Sequence, residues 1–148
     1  MRPVVYVDMD GVLVDVHAQV LKHYGQEGID NIGTILDEDA EMFRLAEPMP
    51  GAVEAFNKLN EKFNVYILST APWELPEVWK IKREWVEKHL GDAAYKKLIL
   101  SNNKGLMIGD YLIDDRTANG VSEFLGQHIQ FGQPGVEDWN QVLNHLNL

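Results

Sequence analysis

The strongest constraint on the fold is a set of short apolar segments without the alternation of apolar and polar residues. The first segment is residues 4–7, and three others follow at residues 65–68, 98–100 and 111–113. A strand with one face in water alternates, whereas a strand that is covered on both faces does not. We therefore predict four buried strands, and a fifth at residues 128–131, in a mainly parallel sheet.

Segments with the spacing of amphipathic helices separate these strands. Helices are predicted at residues 16–24, 37–45, 51–62, 76–90 and 139–146, with a short helix or loop at 117–125. Strands that alternate with helices favour a parallel sheet with right-handed crossovers. The predicted fold is α/β, a three-layer Rossmann-like arrangement, in a single domain of residues 1–148.

Composition limits the class of function. The net charge of −10 argues against nucleic-acid duplexes and anionic membranes as partners, because both attract basic surfaces. The absence of cysteine excludes disulfides, thiolate catalysis and cysteine-based metal sites. The sequence has no signal peptide pattern and no apolar stretch of membrane-spanning length, so we expect a soluble cytoplasmic protein. The oligomeric state is left open.

Two aspartates stand directly after the first predicted strand. Asp8 and Asp10 are followed by Gly11, which allows the backbone to turn sharply. Aspartate forms strands poorly and is costly to bury, so this pair needs an explanation. One reading is an ordinary strand-to-loop turn; the other is a nucleophilic, cation-binding site at the carboxyl edge of the sheet.

Polar residues also follow the other predicted strands, in an arrangement that supports the second reading. Ser69 and Thr70 end the second strand, and their hydroxyls suit an oxyanion. The other polar residues after strand ends are Lys104, Asp114 and Asp115. The carboxyl ends of parallel strands share one edge of the sheet, where ligands bind.

The predicted site has an oxygen-only ligand set, with Asp8, Asp10 and Asp114 as candidate metal ligands. Such a set suits a hard cation, Mg²⁺ above all, which one or two carboxylates and a phosphate oxygen can satisfy. Thr70 and Lys104 are then available to hold the remaining oxygens of a phosphate. One carboxylate is left as a nucleophile and another as a general acid and base.

Four motifs in this order resemble those of the haloacid dehalogenase superfamily, in its phosphatase branch. Asp8-Met9-Asp10-Gly11-Val12 resembles the first motif, and Leu68-Ser69-Thr70 the second. Lys104 resembles the third, and Leu112-Ile113-Asp114-Asp115 the fourth. The resemblance implies a haloacid dehalogenase-like fold across the whole chain and a phosphatase activity that depends on Mg²⁺.

Within that superfamily, the sequence is most similar to the 5′(3′)-deoxyribonucleotidases. Four stretches carry this similarity, and they are residues 7–13, 47–55, 85–91 and 112–116. The resemblance implies a small phosphorylated substrate, with a deoxynucleoside monophosphate as the specific expectation.

The resemblance also implies a role for each matching residue. Asp8 would attack phosphorus and become an aspartyl-phosphate, while Asp10 would protonate the leaving alcohol, activate water and offer its backbone carbonyl to Mg²⁺. Thr70 and Lys104 would bind the phosphoryl group. The implied Mg²⁺ ligand on the fourth motif is Asp114, supported by Asp115, with Arg116 as a charge partner.

Residues 16–48, hereafter the 16–48 segment, are predicted to be a small helical cap insertion. Gly25, Gly28 and Gly33 interrupt its helical pattern, and glycine-rich segments after a strand that carries functional residues often cover a site. The alternative is a plain surface connection.

Several alternatives remain open at this point. The chain could bind phosphate or nucleotide without turnover, hydrolyse a non-nucleotide phosphate ester, or transfer the phosphoryl group to an acceptor other than water. Trp73, Trp79 and Trp85 are expected in the core, because no interleaved basic residues would hold a nucleic acid beside them. Lys82 lies on an apolar helical stripe, where a lysine either extends to water or points into a site.

Overall fold

The five strands form one parallel sheet in the computed structural model, which describes residues 1–148. The sheet order is β3-β2-β1-β4-β5, and every neighbouring pair is parallel. The strands are β1 Val4–Val7, β2 Asn64–Ser69, β3 Leu98–Leu100, β4 Tyr111–Asp114 and β5 Gln127–Gln130. The predicted parallel α/β fold is confirmed, and the predicted strands at residues 4–7 and 98–100 have the observed bounds.

Five α-helices lie between strands along the chain, and a sixth follows β5. They are α1 Val16–Asp30, α2 Ile32–Glu38, α3 Glu41–Leu45, α4 Ala52–Lys62, α5 Pro76–Leu90 and α6 Trp139–His145. Helix α5 has the predicted bounds, with Pro76 in its first turn and Gly91 directly after its end. None of the helices has the length and apolar character that a membrane span requires.

The main core lies between one face of the sheet and helices α4, α5 and α6. Val5 and Val7 of β1 are fully buried there, because successive strand residues point to opposite faces. Phe56 of α4, Trp85 of α5 and Trp139 of α6 supply the largest side chains from the helical side. This packing fixes the position of β1, and therefore that of Asp8, which directly follows it.

The opposite face of the sheet is covered by short segments. Tyr6, Leu68 and Leu112 point to this face and pack with Val121 and Phe124. Val121 belongs to a 3-10 helix at Val121–Glu123, which is the observed form of the helix or loop predicted at 117–125. Further 3-10 helices occur at Gly91–Ala94 and Lys104–Leu106.

Residues 25–38 contain more helix than the sequence pattern predicts. Helix α1 continues to Asp30 with one interruption at Gly25, whose φ is +72°, and α2 follows from Ile32. Gly28 is buried inside α1, where an added Cβ would lie 2.3 Å from the Cβ of Tyr24. The glycines were expected to end the helix, but here a missing side chain permits close packing.

Two short chain segments connect the 16–48 segment to the rest of the protein and bond to each other. The backbone N–H of Asp15 donates to the Glu47 carbonyl at 2.9 Å, and that of Met49 donates to the Leu13 carbonyl at 2.8 Å. Indole N–H groups hold both segments: Trp139 donates to the Val12 carbonyl, and Trp85 donates to the Ala46 carbonyl, each at 2.8 Å. These two segments, residues 13–15 and 47–49 (hereafter the paired connection), are therefore fixed to the main core.

Candidate active site

The predicted polar residues meet at the carboxyl edge of the sheet, where the chain changes direction across it. From β1 the chain adds β2 and β3 on one side, then crosses to place β4 on the other side. Asp8 follows β1 and Asp114 ends β4, and the Asp8 backbone N–H donates to the Ile113 carbonyl at 2.9 Å. Ligands of open parallel sheets bind at such a switch point.

Lys104 joins the two aspartates. Its Nζ lies 2.9 Å from Oδ1 of Asp8 and 2.6 Å from Oδ2 of Asp114, and all three side chains are buried. The backbone N–H of Arg116 donates to the other oxygen of Asp114 at 3.0 Å. The Arg116 guanidinium, which was expected to be a charge partner, is exposed and forms no ion pair.

Burial and mutual repulsion set the ionisation of this group. Burial raises the pKa of the Asp8 carboxyl above its usual range; Lys104 opposes the shift, and Asp114 adds to it. Burial alone would lower the pKa of Lys104, but the two carboxylates raise it above its ordinary value. The site therefore holds a firmly protonated ammonium between acids that need a positive neighbour.

Asp115 completes a cluster of three carboxylates with Asp8 and Asp114, hereafter the carboxylate cluster. One oxygen from each lies within 4.8 Å of the others, and the buried Oδ1 of Asp115 has no hydrogen-bond partner. Burial, followed by the charges of Asp8 and Asp114, raises the pKa of Asp115 to about 7. An unpartnered carboxylate oxygen beside two others fits the requirements of a hard divalent cation.

The raised pKa of Asp115 predicts how stability depends on pH when no metal is bound. Its folded-state pKa of about 7 exceeds the ordinary value of 3.8, so the folded protein binds more protons than the unfolded chain between these values. The free energy of unfolding should therefore fall by about 1–3 kcal/mol as pH rises from 4 to 7. Urea unfolding across this range, with Asp115→Asn as control, measures the effect. Equal pH slopes for both proteins would contradict it.

Asp10 lies two residues after Asp8 and pairs with a different lysine. Nζ of Lys82 is 2.7 Å from Oδ2 of Asp10 and 2.8 Å from the Ser69 hydroxyl. Lys82 is only 1% exposed, so it belongs to the minority of lysines on apolar stripes that point into a site. Its position on the apolar stripe of α5 was the sequence signal for this role.

Gly11 allows the turn that follows the two aspartates. Its φ is +80°, and a Cβ there would lie 2.3 Å from Oδ2 of Asp115. Both the backbone conformation and the close approach of the carboxylate require glycine at this position. The turn is closed by hydrogen bonds from the N–H groups of Val12, Leu13 and Val14 to the Met9 carbonyl.

Thr70 lines the cavity above these carboxylates, as expected of a residue that contacts a ligand. This cavity, of about 290 Å³, is also lined by Asp8, Asp10, Lys104 and Asp114. The Thr70 hydroxyl donates to the Ser101 carbonyl at 2.7 Å. Ser69 is buried against Lys82 and does not line the cavity, so its predicted contact with phosphate stays a prediction.

The tryptophans depart from expectation at one position. Trp85 is buried and Trp79 is half-buried, but Trp73 is 72% exposed and lines a second cavity of about 410 Å³. The prediction of Trp73 as a core residue is wrong, because Trp73 lies in the loop before α5 and outside its helical periodicity. Its place after Pro72 and before the helix was the signal that the core pattern did not extend to it.

Most of the chain matches the model of a known protein family. Residues 30–144 match the model of the family described as 5′ nucleotidase, deoxy (Pyrimidine), cytosolic type C protein. The chain belongs to this family. The predicted similarity to the 5′(3′)-deoxyribonucleotidases is confirmed, and the chain is a phosphatase of the deoxyribonucleotidase family.

Individual relatives agree with this placement. A protein of Vibrio phage KVP40, named "Putative 5'(3')-deoxyribonucleotidase", is 48% identical over 98% of this chain and 85% of its own length. The human "5'(3')-deoxyribonucleotidase, cytosolic type" is 28% identical over 86% of this chain and 78% of its own length. The Bacillus subtilis "5'(3')-deoxyribonucleotidase" is 26% identical over 99% and 95%.

Solved structures show the same fold at low sequence identity. A Bacillus subtilis HAD-hydrolase, YfnB, which was crystallised with magnesium, gives a TM-score of 0.67 at 9% identity and covers 99% of each chain. A haloacid dehalogenase-like hydrolase from Streptococcus pneumoniae gives 0.61 at 14% identity, over 97% of this chain and 90% of its own. The deoxyribonucleotidase-family chain therefore has the haloacid dehalogenase fold, as its motifs predicted.

Proposed function

We propose that this phosphatase hydrolyses deoxynucleoside monophosphates with Mg²⁺ and through an aspartyl-phosphate on Asp8. The observation that carries the proposal is the placement of the Asp8 carboxylate. It follows the central strand, lies against Lys104 and within the carboxylate cluster, and lines an open cavity together with Asp10 and Thr70. The family to which the chain belongs supports a nucleotide as the substrate.

The proposed chemistry has two displacements at phosphorus. A carboxylate oxygen of Asp8 forms a bond to phosphorus while the ester bond breaks, and the Asp10 carboxyl gives its proton to the leaving oxygen. Asp10 then takes a proton from water as that water attacks the aspartyl-phosphate. Inorganic phosphate leaves, and the Asp8 carboxylate is restored.

The lysines and Thr70 support these steps. Lys104 lies where it can neutralise the oxygens of the transferred phosphoryl group, and Thr70 lines the same cavity. Lys82 holds the Asp10 carboxyl at 2.7 Å and thereby fixes the direction in which it exchanges protons. The carboxylates of Asp8 and Asp114 and the Asp10 backbone carbonyl would hold Mg²⁺, with Asp115 in support. Bound there, the ion would neutralise charge on the phosphoryl oxygens.

We further propose that the 16–48 segment is a cap on a single domain. The support is its place between β1 and α4, together with the lining of the cavity by Val16, Ile32 and Leu36 from its helices. The net charge of −10 supports a small substrate rather than a nucleic-acid duplex. A cytoplasmic location stays a prediction.

Removal of metal tests the proposed function. Purified protein should release phosphate from dUMP with Mg²⁺, lose at least about 100-fold in rate with EDTA, and recover when Mg²⁺ is returned. Calcium should restore far less, because it favours a larger and less regular ligand shell. The same assay with p-nitrophenyl phosphate and 2-deoxyribose 5-phosphate separates a nucleotidase from a phosphatase for other esters.

The outcomes are separable. Full activity in EDTA would contradict the metal requirement, and a preference for 2-deoxyribose 5-phosphate over dUMP would contradict the nucleotide substrate. Transfer of phosphate to added alcohols in preference to water would instead identify a phosphotransferase. Membership in a phosphatase family gives no support to a regulatory protein without turnover.

A further inference from the structure

The cavity above the carboxylate cluster continues into the cavity beside Trp73. The two share six lining residues, which are Asp10, Gly33, Leu36, Thr70, Arg116 and Asn119. Together they form one cleft, with a carboxylate end at Asp8 and Lys104 and a Trp73 end at Pro72 and Trp73. A ligand whose phosphate contacts Asp8 therefore has room to extend toward Trp73.

Trp73 is the exposed aromatic side chain of this cleft. Its indole is held from one side by Trp79, edge to face, with ring centroids 6.4 Å apart and planes at 78°. Despite this contact, 72% of the residue is exposed. Covering an exposed apolar ring with another planar group removes apolar surface from water and is therefore favourable. Trp73 thus offers a ring on which a planar ligand group can stack.

The phenylalanine and the tyrosine of the 16–48 segment do not offer such a surface. Phe43 is buried beneath Lys82, whose Nζ lies 5.1 Å from its ring centroid. Tyr24 is 40% exposed, but it lines neither cavity, and its hydroxyl donates to Asp39. Of the Phe, Tyr and Trp side chains, only Trp73 presents an exposed ring to the cleft.

The polar residues at the Trp73 end suit an uncharged ring with hydrogen-bonding edges. Asp37 and Asn102 line this end and not the carboxylate end. The Asp37 carboxylate disfavours a second anionic group there, whereas carboxylate and amide groups can bond to the edge of a base. The leaving group of a nucleoside monophosphate has this chemistry.

We propose that Trp73 stacks on the nucleobase of the substrate and makes the enzyme select nucleotides over phosphate esters without a base. This inference rests on the proposed function, and it assigns base recognition to the loop between β2 and α5 rather than to the 16–48 segment. Trp73 is thus a specificity-determining residue that acts at the far end of the substrate from phosphorus.

Trp73→Ala tests the proposal through a ratio of two substrates. The ratio of kcat/KM for dUMP to that for 2-deoxyribose 5-phosphate should fall roughly 5- to 150-fold, the range that base stacking on an aromatic side chain supports. Trp73→Phe should keep most of the ratio, since it retains a ring. Tyr95→Ala is the matched control, because Tyr95 is an exposed aromatic residue that lines neither cavity. It should leave the ratio unchanged.

A binding measurement separates failure of this proposal from failure of the proposed function. Calorimetric titration of dUMP into Asp8→Asn and into Asp8→Asn with Trp73→Ala needs no turnover, and the second protein should bind roughly 5- to 150-fold more weakly. Equal affinities, an unchanged substrate ratio, or a fall of the ratio in Tyr95→Ala would each overturn the role of Trp73. If the double variant binds dUMP more weakly but the parent protein releases no phosphate, the role of Trp73 is supported and the proposed hydrolysis is rejected.

Discussion

Asp8→Asn should remove phosphatase activity, by on the order of 10⁴-fold or more in kcat, while the protein still folds. The amide cannot attack phosphorus as a carboxylate does, so the covalent intermediate is lost. The two side chains have nearly the same shape, and removing one acid from the carboxylate cluster relieves repulsion with Asp114. Stopped assays of phosphate release from dUMP, run for hours at high enzyme concentration, measure the residual rate.

Two measurements keep this result interpretable. Circular dichroism and urea unfolding should show that Asp8→Asn is folded and at least as stable as the parent protein. Acid quench with radiolabelled substrate should trap labelled protein in the parent and none in the variant. Activity of Asp8→Asn within about 10-fold of the parent would exclude Asp8 as the nucleophile.

Lys104→Met should lower the free energy of unfolding by about 3–5 kcal/mol when no metal is bound, which is more than we expect for Lys82→Met. Lys104 is the cation that contacts both Asp8 and Asp114, and its removal leaves these buried carboxylates without an opposite charge in contact. Mg²⁺ should restore part of the loss, because a cation among the carboxylates replaces the ammonium. Urea unfolding at pH 7, with EDTA or with Mg²⁺, gives both numbers.

Lys82→Met is the matched control for this experiment. Lys82 is equally buried, but the carboxylate that it leaves behind, Asp10, is 28% exposed and keeps contact with water. We expect a loss of about 0–2 kcal/mol, with little recovery on addition of Mg²⁺. Equal losses in the two variants would show that burial of the lysine, rather than burial of its partners, decides the cost.

The parallel sheet and its site were predictable because two physical rules act locally. Unalternating strands such as residues 4–7 indicate a sheet that is covered on both faces, and helix 76–90 has clear periodicity with proline and glycine at its ends. The strand ends then meet at one edge, which brings Asp8 and Asp114 together without any knowledge of side-chain directions.

Other features depended on contacts that no local pattern encodes. Helix α1 continues through the buried Gly28 despite the low helix propensity of glycine, at a place where Tyr24 of the same helix leaves no room for a Cβ. The pattern placed Lys82 on the apolar stripe of α5, but only the fold shows that it meets Asp10 while Lys104 meets Asp8. Trp73 was expected in the core because no interleaved basic residues would hold a nucleic acid beside it, whereas its position in a loop leaves it exposed in the cleft.

The paired connection at residues 13–15 and 47–49 has a mechanical consequence. Because Trp139 and Trp85 fix Val12 and Ala46 to the main core, both ends of the 16–48 segment share one anchored base. If the helices of this segment rotate during turnover, this base would be the axis of the rotation. Such a rotation would change the distance of Ile32 and Leu36 from the carboxylate cluster, while Asp8, Asp10 and Trp73 would keep their positions on the rest of the protein.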